Sequence, residues 1–221
     1  MRFIRWEGSA TRRSASLVLF VCLVAVGLWA SKEFAKPVAK PAATYPANDA
    51  HPDEKVTIAA DPYDLTEKAQ IFSVHWSEEG FLPVFLVITN DGDQPVSLIN
   101  MQAEFITTRR DKIQAATNDD LYRRLAHISG AGTSPLPLPI PRKPKGSLSK
   151  KTQDEINEAQ FSAKLVEPHS TESGFLFFDV SGLSAPEPGA HIYLTGLRNS
   201  KGAELMYFEI ALEKYLAAPS K

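Results

Sequence analysis

The five histidines are the first residues to consider for chemistry, because histidine serves as a metal ligand and as an acid–base catalyst near neutral pH. None of them stands at HxH or HExxH spacing, so the sequence has no strong metal-binding signature. A GxSxG nucleophile motif and a GxxxxGK(S/T) phosphate loop are also missing. We therefore assign no catalytic, metal-binding or cofactor-binding residue. We expect ordinary surface positions for His51, His75, His127, His169 and His191.

Two short stretches place carboxylates near each other. Asp91 and Asp93 in "DGD" have the oxygen ligands that Ca²⁺ prefers, but the further ligands of an EF-hand loop do not follow. We interpret "DGDQP" as a turn between strands. Asp61 and Asp64 in "DPYD" are either a pair of catalytic acids or part of a capped turn, and Asp-Pro favours the turn.

The stretch "PLPLPIPRKPKGSLSKK", residues 135–151, combines prolines with basic side chains. Alternating prolines favour a polyproline II conformation, which is preformed and loses little entropy when a partner binds it. The alternative is a stiff loop between two helices. We call this stretch the basic arm. Its candidate partner-binding residues are Pro135, Pro137, Pro139, Pro141, Arg142, Lys143, Lys145, Lys150 and Lys151.

Two groups of aromatic residues allow a binding or a structural interpretation. Trp76 is either an exposed platform for a sugar or a core tryptophan, and a core position is more usual in a sandwich. Tyr122 precedes Arg123 and Arg124, which together form either a binding face or the solvated side of an amphipathic helix.

Charge is distributed unevenly along the 221 residues, whose formal net charge is −2. Residues 1–30 carry four arginines and one glutamate, which leaves 20 basic and 25 acidic residues in the rest. An acidic remainder does not suit a general polyanion binder, so we expect no nucleic-acid partner. The only cysteine, Cys22, excludes an intrachain disulfide and a cysteine-rich zinc site.

Residues 14–31, "SASLVLFVCLVAVGLWAS", contain no charged side chain and follow several arginines. As a helix this run would extend roughly 27 Å, enough for a bilayer core. We predict a single-pass anchor in the cytoplasmic membrane, with residues 1–13 inside and everything after Ala30 outside. The alternatives are a signal peptide cleaved near Gly27, which would leave a secreted or periplasmic protein, a lipid-modified Cys22, or a buried helix.

The organisation beyond the anchor follows from composition. Residues 32–54 are rich in Ala, Pro and charge, which predicts a semi-extended tether, with His51 solvated rather than bound to a metal. Residues 55–216 are predicted to form one domain that contains a helical insertion at 118–164, and residues 217–221 form a tail.

Strand-like runs predict the architecture of this domain. The buried runs "FLPVFLVITN" (81–90) and "FLFFDV" (175–180), and a hairpin joined by "RNSKGA" (198–203), indicate an antiparallel β-sandwich. In "VSLINMQAEFITT" the alternation changes phase between Leu98 and Ile99, which predicts a bulge or a bend. In the last strand, one face is predicted to hold Met206, Phe208, Ile210 and Leu212.

The insertion contains two predicted helices that pack on the sandwich. The first covers 118–128, with Asn118 as its cap and with Leu121, Leu125 and Ile128 at helical spacing. The second is predicted from a capping-box spacing between Thr152 and Glu155. The basic arm joins the two helices, and no second core is expected.

The segments "LPVFLVITNDGDQPVSLINMQAEF" and "VEPHSTESGFLFFDV" resemble exported bacterial immunoglobulin-like modules. In such modules a strand that ends in Asn and a polar turn leads into a long bent strand, and a Gly-plus-aromatic strand comes later. The chain is also similar to uncharacterised membrane-anchored bacterial proteins built this way. The resemblance covers about half of the chain and implies binding or scaffolding, without active-site residues. The Cys–Trp–Cys pattern of antibody domains is absent.

The sequence is compatible with three functions. The first is a non-enzymatic, membrane-anchored binding or scaffolding protein of the cell envelope, whose partner is an envelope protein or a glycan. The second assigns partner docking, or binding to an anionic surface, to the basic arm. The third is a hydrolase with a dispersed active site, for which a concave pocket with converging polar groups would be needed.

Overall fold

Antiparallel strands dominate the computed structural model, which describes residues 34–64, 66–129 and 148–217. The predicted anchor at 14–31 lies outside the described residues. In the described ranges, no helix is both long enough and apolar enough to cross a membrane. The strands are β1 Asn48–His51, β2 Val56–Pro62, β3 Phe81–Asn90, β4 Val96–Ser97, β5 Gln102–Ile106, β6 Lys112–Gln114, β7 Leu165–Val166, β8 Ser170–Asp179, β9 His191–Thr195 and β10 Phe208–Ala211. The helices are α1 Thr66–Ala69, α2 Asn118–Ser129, α3 Lys150–Ala159 and α4 Glu213–Leu216, with a 3₁₀ turn at Ala42–Thr44.

Two four-stranded sheets and a two-stranded ribbon hold these strands. Sheet 1 has the order β1-β2-β3-β8, sheet 2 has the order β10-β9-β5-β6, and β4 pairs with β7 in the ribbon. All pairs of neighbouring strands among β1–β10 are antiparallel, with Phe85 opposite Phe175 at the centre of sheet 1. This confirms the prediction of a mostly β, antiparallel architecture.

The inner faces of the two sheets form one apolar core. Phe105 and Ile192 from sheet 2 pack with Leu86 and Phe178 from sheet 1, and all four are buried. Side chains that alternate along each strand account for this, because every second residue points to the same face. Burial of these faces is the main stabilising term of the fold.

The outer face of sheet 1 is covered as well, which explains why all ten residues of β3 are buried. The cover consists of α2, α3 and the segments 34–47 and 66–81. An aromatic cluster fills the space beneath it, formed by Phe34, Phe72, Trp76, Phe81, Phe85, Phe175 and Phe177. The prediction that the helical insertion packs on the sandwich is confirmed.

The predicted tether at 32–54 is wrong for the part that the structure describes. Phe34 is 6% exposed and Ala42 is fully buried. Residues 48–51 pair with 56–59 as an edge strand of sheet 1, and the His51 ring stacks on Phe208 at 3.9 Å. Small alanine side chains let this segment lie close to the sheet, so its low apolar content did not prevent packing.

Both helix caps differ from their predicted positions. The Thr117 hydroxyl accepts from the backbone N–H of Asp120 at 3.3 Å, and the Asp120 carboxylate accepts from the Thr117 N–H at 3.0 Å, so Thr117 rather than Asn118 caps α2. Ser149 caps α3 by accepting from the Thr152 N–H at 3.1 Å. The buried Glu155 accepts instead from the Ser73 N–H at 3.0 Å, which fastens α3 to segment 66–81.

The phase change between Leu98 and Ile99 marks a bend, as predicted. Leu98 is buried, Ile99 is 72% exposed, and the chain leaves β4 there to enter sheet 2 at β5. In the last strand, Phe208, Ile210 and Leu212 are buried as predicted. Met206 does not share that face, because it precedes β10 and is 66% exposed.

The two sheets meet along both sides of the sandwich. On one side the Ala116 N–H donates to the Phe177 carbonyl at 2.7 Å, beside a bridge between Ala115 and Phe178. On the other side, which we call the β1–β10 seam, carboxylates replace backbone pairing. Asp49 accepts from the Glu209 N–H and Glu54 accepts from the Met206 N–H, each at 2.9 Å.

Candidate functional site

A cavity of about 460 Å³ lies between segment 63–83 and loop 180–187, and we call it the acidic cleft. Its apolar wall comes from aromatic residues under the helical cover of sheet 1. Its polar wall comes from the end of β2 and from the loop after β8. Its lining residues include Tyr63, Asp64, Trp76, Gly80, Phe81 and Glu187.

A tight turn before β3 sets the shape of this cleft. The Phe81 N–H donates to the Trp76 carbonyl and the Val180 N–H donates to the Gly80 carbonyl, each at 2.9 Å. Gly80 has a φ of +78°, and a Cβ there would lie 2.2 Å from the Ser181 hydroxyl oxygen. Only glycine allows both the left-handed backbone and this close approach.

Trp76 forms the back of the apolar wall. Its side chain is 3% exposed, and its ring packs against Phe81 and Phe177 with centroids 6.1 and 4.7 Å away. The indole Nε1 is buried without a hydrogen-bond partner among the described residues.

Two carboxylates lie on the polar wall. Asp64 accepts a hydrogen bond from the Tyr215 hydroxyl at 3.0 Å. Glu187 is buried, and burial, together with the negative charge of Asp64, raises the pKa of its carboxyl. Within the described ranges, no lysine, arginine or histidine nitrogen lies within 4 Å of either carboxylate.

Lys68, in α1, is paired with a different carboxylate. Lys68 Nζ lies 2.5 Å from Asp61 Oδ1 and 4.5 Å from the centre of the Tyr215 ring. Burial raises the pKa of Asp61 despite this partner, because loss of solvation outweighs the lysine's attraction. Burial also raises the pKa of the Tyr63 and Tyr215 phenols above their usual range. Lys68 therefore neutralises the charge of Asp61, and the charges of Asp64 and Glu187 can be neutralised by a different cation.

This arrangement suits a ligand with a positive end and an apolar body. The positive end would lie between Asp64 and Glu187, and the body would contact Trp76 and Phe81. Among the described residues, no group of three or more His, Cys, Asp or Glu side chains is placed to hold a metal ion.

The basic arm falls mostly outside the described residues. The candidate residues that lie outside them are Pro135, Pro137, Pro139, Pro141, Arg142, Lys143 and Lys145. Lys150 and Lys151 are described as the exposed first two residues of α3. Neither of them lines the acidic cleft.

The "DGD" stretch and the Tyr122–Arg124 face, for which binding was the alternative interpretation, have structural roles. Asp93 in "DGD" contacts Lys55 at 3.3 Å and His169 at 3.2 Å in an exposed turn. Arg124 donates to the Glu79 carbonyl at 3.1 Å and pairs with Asp179, so it ties α2 to sheet 1 rather than forming a free binding face.

His51 is not a surface histidine, contrary to the prediction. Its side chain is 16% exposed, and its two ring nitrogens face Asp49 at 3.4 Å and Glu54 at 3.0 Å. Because the carboxylates lie on opposite sides of the ring, they hold the imidazole in place instead of converging on one point.

Sequence reasoning found one part of the cleft and missed the rest. It identified Asp61 and Asp64 as neighbouring acids and Trp76 as a core residue, which its burial confirms. It gave no role to Glu187, in the loop after β8, or to Tyr215, in α4, and both lie more than 100 residues from Asp64 in the chain. Neither belongs to a motif, so no local pattern could have indicated them.

No protein-family model matches this chain, and a search of curated proteins finds no match either.

Proposed function

We propose that this protein is a non-enzymatic binding protein of the cell envelope, and that its acidic cleft captures a cationic side chain of a partner protein. The observation that carries this proposal is the pair Asp64 and Glu187, which have no cationic partner within the described residues and lie beside an apolar wall. Two neighbouring negative charges in a partly buried site repel each other, and a bound cation removes that penalty.

The energetics favour an organic cation. A positive charge about 4 Å from a carboxylate near a protein surface gains roughly 4 kcal/mol of attraction before desolvation is subtracted. The methylene groups of a lysine or arginine side chain can lie along Trp76 and Phe81 while the charged end meets the carboxylates. A basic segment of an envelope protein provides such side chains.

An immunoglobulin-like class is part of the proposal. When β2, β3, β5, β6, β8, β9 and β10 are labelled A, B, C, C′, E, F and G, the sheets have the orders A-B-E and C′-C-F-G. Immunoglobulin-like sandwiches share this kind of arrangement, and many of them bind other molecules through their surfaces. Strand β1 adds an edge to the first sheet, and the helical insertion lies between C′ and E.

Membrane anchoring is supported by sequence. The uncharged run 14–31 and the arginines before it favour a cytoplasmic N-terminus and an extracytoplasmic domain. A cleaved signal peptide would leave the same domain periplasmic or secreted.

The test uses the full chain in lipid nanodiscs at pH 8. Calorimetric titration compares Nα-acetyl-lysine amide with its uncharged analogue, Nα-acetyl-norleucine amide. We expect only the lysine derivative to bind, and we expect Asp64→Asn and Glu187→Gln each to weaken it at least tenfold, or ~1.4 kcal/mol.

Asp154→Asn and Glu158→Gln are the matched controls, because both carboxylates are exposed on α3. Equal binding of both amides, or equal losses in the controls, would contradict the proposal. Photo-crosslinking in cells from position Ser77, at the rim of the cleft, then identifies the partner.

Docking through the basic arm is an alternative that the exposed Lys150 and Lys151 favour. Replacement of Arg142, Lys143, Lys145, Lys150 and Lys151 by Gln should weaken association with the partner and flatten its salt dependence. Unchanged association at low salt would refute this alternative. In that case we expect Asp64→Asn and Glu187→Gln, and not the replacements in the arm, to weaken the association.

A hydrolase is a further alternative, favoured by one observation. Glu187, a carboxyl with a raised pKa, lies in a concave site, as acid catalysts often do. Mass spectrometry of envelope peptides and glycans incubated with the protein would show cleavage products that disappear in Glu187→Gln. Binding without products supports the binding protein.

A further inference from the structure

We infer a second binding site, for an uncharged saccharide, on the outward face of sheet 2. The site centres on Tyr193 and Tyr207 and includes a neighbouring groove of about 480 Å³, and we call it the tyrosine groove. It shares no lining residue with the acidic cleft, so it does not depend on the proposed function.

The two sheets differ in what covers their outer faces. Helices and the 34–47 segment cover sheet 1, whereas no element of the described ranges covers the outer face of sheet 2. The burial pattern of β9 shows this, because Ile192 and Leu194 are fully buried while His191, Tyr193 and Thr195 are partly exposed. Only the inner face of sheet 2 is therefore buried in the core of the sandwich.

Two tyrosine rings lie next to each other on the open face. The centroids of Tyr193 and Tyr207 are 5.1 Å apart, and the ring planes differ by 35°. Tyr207 is 48% exposed, although it adjoins the buried Phe208. At this distance and angle the two rings pack partly face to face, so the half-exposed Tyr207 ring provides the apolar surface that a ligand can reach.

Fixed polar groups surround these rings. Tyr193 lies opposite Glu104 on β5 and opposite Glu209 on β10. Glu104 accepts from Lys112 Nζ at 2.9 Å and from Gln114 Nε2 at 2.5 Å, so its position is set before any ligand arrives. These bonds hold carboxylate and amide groups beside the rings, and Lys112 Nζ lies over the Tyr193 ring, 5.8 Å from its centre.

One buried nitrogen at the groove lacks a hydrogen bond. His191 Nδ1 forms no hydrogen bond with the described residues, although Glu209 Oε1 lies 3.5 Å away. Both residues line the groove. The buried Nδ1 atom is out of reach of a ligand, whereas the exposed Glu209 carboxylate can accept a hydrogen bond from a ligand hydroxyl.

The charge balance identifies the ligand class. Arg110 and Lys112 bring two positive charges, and Glu104 and Glu209 bring two negative charges. A polyanion or a polycation would meet like charges on this face, which costs binding energy. A neutral sugar instead places its C–H face on the rings and directs its hydroxyls to the charged groups, each of which forms a strong hydrogen bond.

The experiment uses the full chain in lipid nanodiscs, so that no glycosidic detergent competes. The probe is an array of uncharged oligosaccharides that includes hexamers of N-acetylglucosamine and of glucose, and the strongest binder is then titrated by calorimetry. We expect binding that changes less than twofold between 50 and 500 mM salt. Tyr193→Ala and Tyr207→Ala should each weaken binding at least fivefold, and Tyr193→Phe should weaken it less than twofold.

The control is Ile99→Ala, which removes an exposed apolar side chain at the bend after β4. Chemical-shift changes of the wild-type protein, mapped to β5, β9 and β10, locate the ligand without relying on variants. The inference is overturned if no uncharged saccharide binds or if the shifts map elsewhere. Asp64→Asn and Glu187→Gln should leave saccharide binding unchanged.

Discussion

Asn90 shows how a single polar side chain holds three parts of the fold together. It is 1% exposed at the end of β3. Its Nδ2 group donates to the Gln94 carbonyl at 2.8 Å and to the Val166 carbonyl at 3.2 Å, and its Oδ1 accepts from the Gly92 N–H at 2.9 Å. The polar turn after β3 and the ribbon strand β7 therefore depend on one amide.

We expect Asn90→Ala to lower the free energy of unfolding by about 2–4 kcal/mol, because it leaves buried backbone groups unpaired. Asn90→Asp keeps an acceptor for Gly92 but loses both donors, so its loss should be nearly as large. Urea denaturation of the full chain measures both. A loss below about 1 kcal/mol in both variants would show that water replaces the amide.

Glu187 gives the cleft a defined pH dependence. Burial, with the nearby charge of Asp64, raises the pKa of Glu187 in the folded chain above its value in the unfolded chain. The folded state then holds the proton more tightly, so the stabilisation is complete below the unfolded pKa. It is lost as pH rises through the folded pKa.

We expect Glu187→Gln to be more stable than the wild type at pH 8, by about 1 kcal/mol, and to have a flatter stability profile from pH 4.5 to 8. Chemical denaturation at several pH values measures this, with Glu158→Gln as an exposed control. A variant that is less stable than the wild type at pH 8 would mean that the carboxylate has a stabilising partner.

At the scale of elements, the β1–β10 seam closes the sandwich without adding backbone pairs. An exposed strand edge invites unwanted pairing with other chains. Asp49 and Glu54 occupy the N–H groups of Glu209 and Met206 at this edge, and His51 fills the gap between the two carboxylates while it stacks on Phe208.

We expect His51→Ala to cost about 1–2 kcal/mol, because it removes a ring stack and frees both carboxylates. The backbone amides of Glu209 and Met206 should then exchange with deuterium faster, while those of β3 stay unchanged. His169→Ala is the matched control, since that side chain is 65% exposed in a turn. Unchanged exchange at the seam would show that the carboxylates need no support from the ring.

At the scale of the whole molecule, the described part of the chain has three layers and two different surfaces. Sheet 1 lies between sheet 2 and the helical cover, so one side of the sandwich ends in helices and the other in an open sheet. The acidic cleft opens at the edge of the covered side, and the tyrosine groove lies on the open face. The proposed anchor would present both sites to the envelope.

We expect the protein to sediment with membranes and to resist extraction by alkaline carbonate. Protease added to spheroplasts should digest the domain, because residues after Ala30 are proposed to lie outside. Mass spectrometry of the membrane fraction should show a chain that retains residues 14–31. A soluble product that begins after Gly27 would show that residues 14–31 belong to a cleaved signal peptide and not to an anchor.

The sequence by itself determined the features that depend on local pattern. The continuous apolar run of β3 and the phase change at Leu98 are visible without coordinates, because side-chain alternation is a property of the strand itself. The burial of Leu121 and Leu125 followed from helical spacing in the same way.

Only the tertiary structure decided which distant segments meet. Residues 48–51 pair with β2 in sheet 1, although their composition suggested a tether. This pairing satisfies backbone hydrogen-bonding groups at the edge of β2, and composition does not reveal that edge. The tertiary structure also brought Glu187 and Tyr215 to Asp64, and Tyr207 to Tyr193. Sheet order and loop packing set these distances, and they depend on contacts between residues far apart in the chain, which no local pattern encodes.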